Sequence, residues 1–151
     1  MANQVETELT EELLPLLRQE RYVTIATVDH DNGGPNVNAI SWVYGQDSKT
    51  VRFAVDNRSR IVENIRKEPQ VTLTVIGAGS TYAIAGEAKV IHEKMEDVPL
   101  KLALVEISVS EVRDVMFYGA RITTEPKYEK TYDKDAAEKL DRQVMAAMKK
   151  D

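Results

Sequence analysis

The stretch Val51–Ile76, VRFAVDNRSRIVENIRKEPQVTLTVI, sets the reading of the whole chain. Val51, Phe53 and Val55 alternate with Arg52, Ala54 and Asp56, the period of a half-buried strand. Asn57-Arg58-Ser59-Arg60 follows with turn and helix-start chemistry, and Ile61, Val62 and Ile65 then share one face of a helix that Pro69 ends. Val71 to Ile76 resumes the strand period. The first turn of a helix presents unpaired backbone N–H groups and a partial positive charge. A capping Ser59 or Asn57 beside two arginines therefore makes this strand-to-helix turn a candidate anion site.

Working outward, Tyr22–Val28 is a β-branched run, DHDNGGP (Asp29–Pro35) is dense in turn residues, and Asn36–Gly45 reads as one returning strand. Gln46–Lys49 turns the chain into the strand at Val51. Upstream, Thr10–Glu20 carries Leu13, Leu14, Leu16 and Leu17 on one stripe, with Thr10 as cap; Pro15 keeps this helix short. Downstream, Gly77–Ser80 is a hairpin turn and Thr81–Glu93 a strand in which Gly86 marks a bulge or a close backbone approach. Glu96–Leu104 reads as a short helix, Val105–Met116 as a long strand with an irregularity near Glu111, and Tyr118–Thr123 as a last strand piece. Lys134–Lys149 is amphipathic at helical spacing, and it either packs on the body of the protein or serves a partner.

With 151 residues and 42% hydrophobic content, one domain spanning residues 1–151 is expected. The net charge of −5 leaves no footprint for nucleic acid. There is no cysteine, so disulfides, thiol nucleophiles and thiolate metal sites are excluded; His30 and His92 do not sit at ligand spacing, and no metal is expected. No apolar run reaches the roughly 20 residues of a membrane span, and the acidic start is unlike a secretory leader. No membrane contact and a soluble cytoplasmic protein are the expectation.

The tally of six or seven antiparallel strands, one short crossover helix and a helix at each end (about 10–20 and 134–149) predicts an α+β antiparallel barrel. With ATVDHDNGGPNVNAISWV and RFAVDNRSRIVENIRKEPQVTLTV in that order, the chain over about Arg21–Thr123 resembles the FMN-binding split β-barrel family of pyridoxamine 5′-phosphate oxidase, as a small relative and not the true oxidase. The resemblance implies an FMN cofactor and a flavoprotein homodimer with two flavins at its interface. By it, Ser59 and Arg60 hold the FMN phosphate, Asn38, Ala39, Ile40, Ser41 and Trp42 lie along the isoalloxazine ring, and Ala54, Val55 and Asp56 line the ribityl chain. Trp42 has a second reading, as a core or interface anchor.

Three departures from the oxidase pattern stand out. The lysine expected after Arg60 is Ile61, the basic residues of the preceding hairpin strand fall opposite Asn38 and Val43, and the tail reads DRQVMAAMKKD where the oxidase has a basic, Trp-containing end. Arg58 is the substitute cation, with Asn57 beside it, and lysine at position 61 is expected to be tolerated or to help. Tyr118 and Arg121 either pack the barrel end or reach a flavin across a dimer interface. No catalytic acid or base stands out. The implied function is a flavin-dependent oxidoreductase, a reductase or oxidase; the alternatives are a flavin store or sensor without turnover, or the same fold holding deazaflavin or haem.

Overall fold

The computed structural model describes residues 5–150. Eight strands form one antiparallel sheet: β1 (Val5–Glu6), β2 (Val23–Val28), β3 (Pro35–Ile40), β4 (Val43–Asp47), β5 (Thr50–Asp56), β6 (Gln70–Gly77), β7 (Ser80–His92) and β8 (Leu102–Asp114). They are ordered β3-β2-β6-β7-β8-β5-β4, with β1 added on β8. Three helices accompany them: α1 (Leu13–Leu16), α2 (Arg60–Lys67) and α3 (Lys134–Met148).

The expected single strand Asn36–Gly45 is two strands, and its break makes the barrel. β3 and β4 stand at opposite ends of the sheet path, yet only Ser41 and Trp42 join them. Three Cα–Cα steps reach at most about 11 Å, so the sheet must curl until its two edges nearly meet. The crossing is pinned by Ser41 O, which accepts from Arg21 N (3.0 Å) and Val43 N (3.1 Å), and by Trp42 O, which accepts from Ala54 N at 3.0 Å. The result is an antiparallel α+β split barrel whose sheet is not closed by a β3–β4 ladder.

Inside the barrel, alternate residues of the strands interdigitate: Ile25, Phe53, Leu73, Ile84, Val105 and Ile107 are wholly buried. Each such side chain contributes about 1.5–3 kcal/mol of transfer free energy. Leu13 and Leu17 plug one end. A second, smaller cluster lies on the outer face, where Ala54, Leu102 and Leu104 meet Val144, Ala147 and Met148 of α3.

Other expectations fare unevenly. The helix expected over residues 10–20 is the single turn α1, because Pro15 and the wet residues after Leu17 leave nothing to extend it; Thr10 Oγ1 does accept from Leu13 N at 3.3 Å. The tail helix ends at Met148 and packs on the barrel. Residues 96–100 are turns and not a helix, and β8 begins at Leu102, where Leu102–Asp56 pairing starts. Residues 118–123 are not a strand: Gly119 adopts φ 88, and Tyr118 is exposed. Gly86 meets both parts of its reading. The β7–β8 register shifts between Ala85 and Gly86, and a Cβ at position 86 would sit 2.2 Å from Ser108 O.

Candidate functional site

The candidate anion site is built where β5 leaves the barrel. After Asp56 the chain turns, with Asp56 O accepting from Ser59 N (3.0 Å) and Asp56 Oδ1 from Arg58 N (2.8 Å), so that α2 starts at Arg60 with Ser59 as its N-cap. The Ser59 backbone, φ −69 and ψ 155, is that of a helix cap. Its side chain does not act as one: Ser59 Oγ makes no capping hydrogen bond and is buried without a partner. Buried hydroxyls are nearly always paired, so this atom asks for an acceptor or donor that the chain itself does not supply.

The two arginines flank it differently. Arg60 Nη1 donates to Asp29 Oδ2 at 2.7 Å, while its side chain stays more than half exposed. Asp29 is buried and also accepts at Oδ1 from Asp31 N (2.9 Å) and Asn32 N (3.1 Å). These backbone donors, then Arg60, hold its carboxyl down to about 2 from an ordinary value of 3.8. Arg58 is 84% exposed, with Asp56 Oδ1 at 3.6 Å. One donor of the Arg60 fork is thus committed to Asp29. The rest, with all of Arg58, remain available to an anion that displaces a weak exposed pair.

Sequence reasoning missed what fixes this corner. Asn64, wholly buried on α2, accepts from His30 N (2.9 Å) and donates to Thr27 Oγ1 (2.9 Å) and Asn36 Oδ1 (2.8 Å). Lys67 Nζ donates to His30 O at 2.8 Å. The β2–β3 loop is thereby clasped to α2, and Asp29 is held against Arg60. A buried asparagine in an otherwise amphipathic helix was the available signal.

The remaining predicted residues do not gather into one surface. Asn38 and Ala39 on β3 are exposed and Ile40 half-buried against the barrel core. Ser41 and Trp42 form the crossing, and Trp42 Nε1 donates to Asp141 Oδ1 on α3 at 2.8 Å, which places Trp42 as an anchor for α3. Val55 faces the barrel core, and Ala54 lies under α3. Asp56 is exposed, and Asn57 Nδ2 donates to Glu93 O at 3.0 Å. Val43 is wholly buried and Ile61 is 4% exposed in the core, so neither could carry a charge to the site. Tyr118 and Arg121 are exposed and do not pack the barrel end.

The cavity next to the turn, lined by Asn57, Val62, Arg66, Glu93 and Ala103, holds about 170 Å³, below the roughly 300 Å³ at which small-molecule sites begin. A cavity of about 410 Å³ is lined by Glu11, Glu12, Asp114 and Tyr82 among others, and its carboxylates would repel a phosphate. Burial, then Asp114 and Glu12, pushes the Tyr82 hydroxyl up. Among the described residues no cluster of His, Asp or Glu could hold a metal ion, and no helix is long and apolar enough to cross a membrane.

The sequence profile of the pyridoxamine 5′-phosphate oxidase family matches residues 9–145. No curated protein matches the chain. Among solved structures, a Lactobacillus delbrueckii protein provisionally named a pyridoxamine 5′-phosphate oxidase superposes with a TM-score of 0.62 at 23% identity, over 74% of this chain and 98% of its own. HupZ of Group A Streptococcus gives 0.60 at 19% identity, over 76% and 98%. An F420 reductase gives 0.53 at 22% identity, over 65% and 93%. Identities this low make the structural likeness one of fold.

Proposed function

The chain belongs to the pyridoxamine 5′-phosphate oxidase family, and on that premise we propose that it is an FMN-binding flavoprotein acting as a flavin-dependent reductase or oxidase. The observation that carries this reading is the buried, unpartnered Ser59 Oγ at the N-cap of α2, between Arg58 and Arg60. In this reading Ser59 turns its Oγ out about χ1 to the phosphate, which also accepts from the first-turn amides of α2 and from the free donors of the two arginines. Bound flavin supplies the two-electron chemistry of its ring; the protein binds and orients it.

The small cavity beside α2 favours a homodimer. A ligand as large as FMN would lie on an open surface of one chain, and a second copy would close it. Exposed Val37, Phe117 and Tyr118 supply apolar surface for that contact. Sedimentation of the FMN-loaded protein should give twice the 17.0 kDa chain mass; a monomer at full occupancy would overturn the dimer.

The flavin reading is tested by titrating FMN and riboflavin against the purified protein and against the double variant Arg58→Ala, Arg60→Ala. FMN should bind at least tenfold more tightly than riboflavin, and the variant should lose about 1.5–3 kcal/mol per charged hydrogen bond for FMN alone. Equal affinity for the two ligands, or equal loss, refutes a phosphate site here. Electron transfer from nicotinamide cofactors to the bound flavin then separates an enzyme from a flavin store. A deazaflavin is the second reading, favoured by the exposed, loosely paired Arg58, which suits a longer anionic tail, and by the fold shared with an F420 reductase. Parallel titration with F420 decides between them.

A further inference from the structure

His30 sits between the β2–β3 loop and α2, and both of its ring nitrogens meet oxygen acceptors. Nδ1 lies 2.7 Å from Asn64 Oδ1, and Nε2 lies 3.0 Å from Glu63 Oε2, with Asp31 Oδ2 at 3.7 Å. The Asn64 amide is not free to turn over and offer its nitrogen instead. Its oxygen accepts from the main-chain His30 N at 2.9 Å, and its nitrogen is spent on Thr27 Oγ1 and Asn36 Oδ1. Nδ1 must therefore carry a hydrogen. A neutral imidazole has only one N–H, so in that state the Nε2 lone pair faces the Glu63 carboxylate. The imidazolium alone donates on both sides.

This contact bears on the anion site because of where it falls on α2. Arg60, Glu63, Asn64 and Lys67 recur at the three- and four-residue intervals that put side chains on one face of a helix, and all four grip the same loop. Arg60 Nη1 donates to Asp29 Oδ2 at 2.7 Å, and Lys67 Nζ donates to His30 O at 2.8 Å. The charged groups around the ring are thus Arg60, Glu63 and Lys67 on α2, with Asp29 and Asp31 on its own loop; β2 and β3 bring the neutral Thr27 and Asn36, through Asn64. Within this row His30 is the side chain whose charge changes between about pH 5 and 8.

We propose that His30 is a proton-dependent positioning residue for the anion site: resting on the flavin reading above, its imidazolium ties the loop to α2 and keeps Asp29 aimed at Arg60, and loss of the Nε2 proton loosens both. The tie is present while the ring is protonated and is lost as pH rises through its titration. FMN affinity falls with it, because a less ordered Arg60 gives up more rotamer freedom when it meets a phosphate.

Glu63→Gln tests this, since an amide suits both states of the ring: its oxygen accepts from the imidazolium, and its nitrogen donates to the bare Nε2 of the neutral form. Glu63 is 58% exposed, so the change leaves the core intact. Ring ¹⁵N NMR, with His30→Asn to tell its signals from those of His92, the other histidine, should show neutral His30 as the Nδ1–H tautomer. Between about pH 5.5 and about pH 8, amide exchange at residues 30–32 of the FMN-free protein should speed about threefold more in the wild type than in Glu63→Gln, the gain expected of a half-exposed charged pair. Over the same span the FMN affinity of the wild type relative to Glu63→Gln should fall about threefold; the phosphate's own protonation near pH 6 is common to both proteins and cancels in the ratio. A neutral Nε2–H tautomer, or loop exchange with the same pH dependence in both proteins, overturns the tie while the flavin reading stands. A flat FMN ratio beside pH-dependent exchange overturns the positioning role, leaving His30 as a loop fastener. Failure of both proteins to bind FMN at any pH refutes the flavin reading and the positioning role together.

Discussion

Ser59→Ala separates a phosphate ligand from a helix cap by the sign of two effects. A serine that caps a helix loses about 0.5–2 kcal/mol of stability on truncation to alanine. Ser59 Oγ makes no such bond and is buried without a partner. Its removal should therefore leave the apo protein within about 0.5 kcal/mol of the wild type. With FMN the same change deletes one charge-assisted hydrogen bond, about 1.5–3 kcal/mol, which is a rise of roughly 10- to 150-fold in Kd. At an FMN concentration of about 100 times the wild-type Kd, ligand stabilises the protein by about 2.7 kcal/mol. A tenfold weaker variant keeps about 1.4 kcal/mol. For a chain of this size the difference is roughly 3–5 °C in Tm, seen only with FMN present. Thermal melts of both proteins, with no ligand, with FMN and with riboflavin, read all of this, and Ser59→Thr should restore the FMN increment by restoring the hydroxyl. An apo loss of 1 kcal/mol or more together with an unchanged FMN increment would refute the reasoning, because Ser59 would then be an ordinary cap.

Asp29 has a folded pKa near 2 against an ordinary 3.8, so the stability it contributes is present above about pH 4 and is lost as pH falls toward 2; Asp29→Asn should destabilise the protein near neutrality and flatten its acid denaturation limb, as urea melts from pH 7 to pH 2 would show. Ile61→Lys, tolerable on sequence grounds, places an ammonium among core residues at a position only 4% exposed and should cost about 3 kcal/mol or more, with a Tm loss of roughly 6–12 °C; an unchanged Tm would mean that the lysine reaches water and that position 61 belongs to the anion site after all. Gly86→Ala drives a Cβ to within 2.2 Å of a backbone oxygen and should cost about 3 kcal/mol; near-wild-type stability would show that the bulge can relax.

The strands were legible where the pattern is local. Val51, Phe53 and Val55 face the core as their alternation demands, and Ser59 starts α2 where turn chemistry put it. The break at Ser41–Trp42 was not legible, because Asn36–Gly45 keeps strand propensity throughout and nothing in it records that β3 and β4 belong to opposite sheet edges. That assignment is made by distant groups: Arg21 N and Val43 N converge on Ser41 O, and Ala54 N on Trp42 O. The long strand at the end of the chain was misplaced for a related reason. β8 pairs with β5 from Leu102 and with β7 from Leu104, so the partners drew Leu102–Leu104 into the sheet although their own pattern is mixed.

At the site, the sequence marked the cations but not their counter-charges. Arg58 and Arg60 are separated by one residue and look equivalent, but the fold makes them different tools. Arg60 is oriented by Asp29, a turn residue 31 positions earlier, held in place by the amides of Asp31 and Asn32. A guanidinium with one donor fixed loses less rotamer freedom when an anion arrives, so Arg60 is the better-ordered ligand although it is already partly neutralised. Arg58 has no comparable anchor, only the exposed Asp56 carboxylate at 3.6 Å. Single substitutions should therefore divide: loss of Arg60 should raise the FMN off-rate, whereas loss of Arg58 should lower the on-rate and its dependence on salt, since an exposed charge acts chiefly by steering. Stopped-flow binding at two ionic strengths distinguishes the two. Arg58→Ala that changes only the off-rate would show that its side chain is as fixed as that of Arg60, and that the phosphate, not the protein, orders the turn.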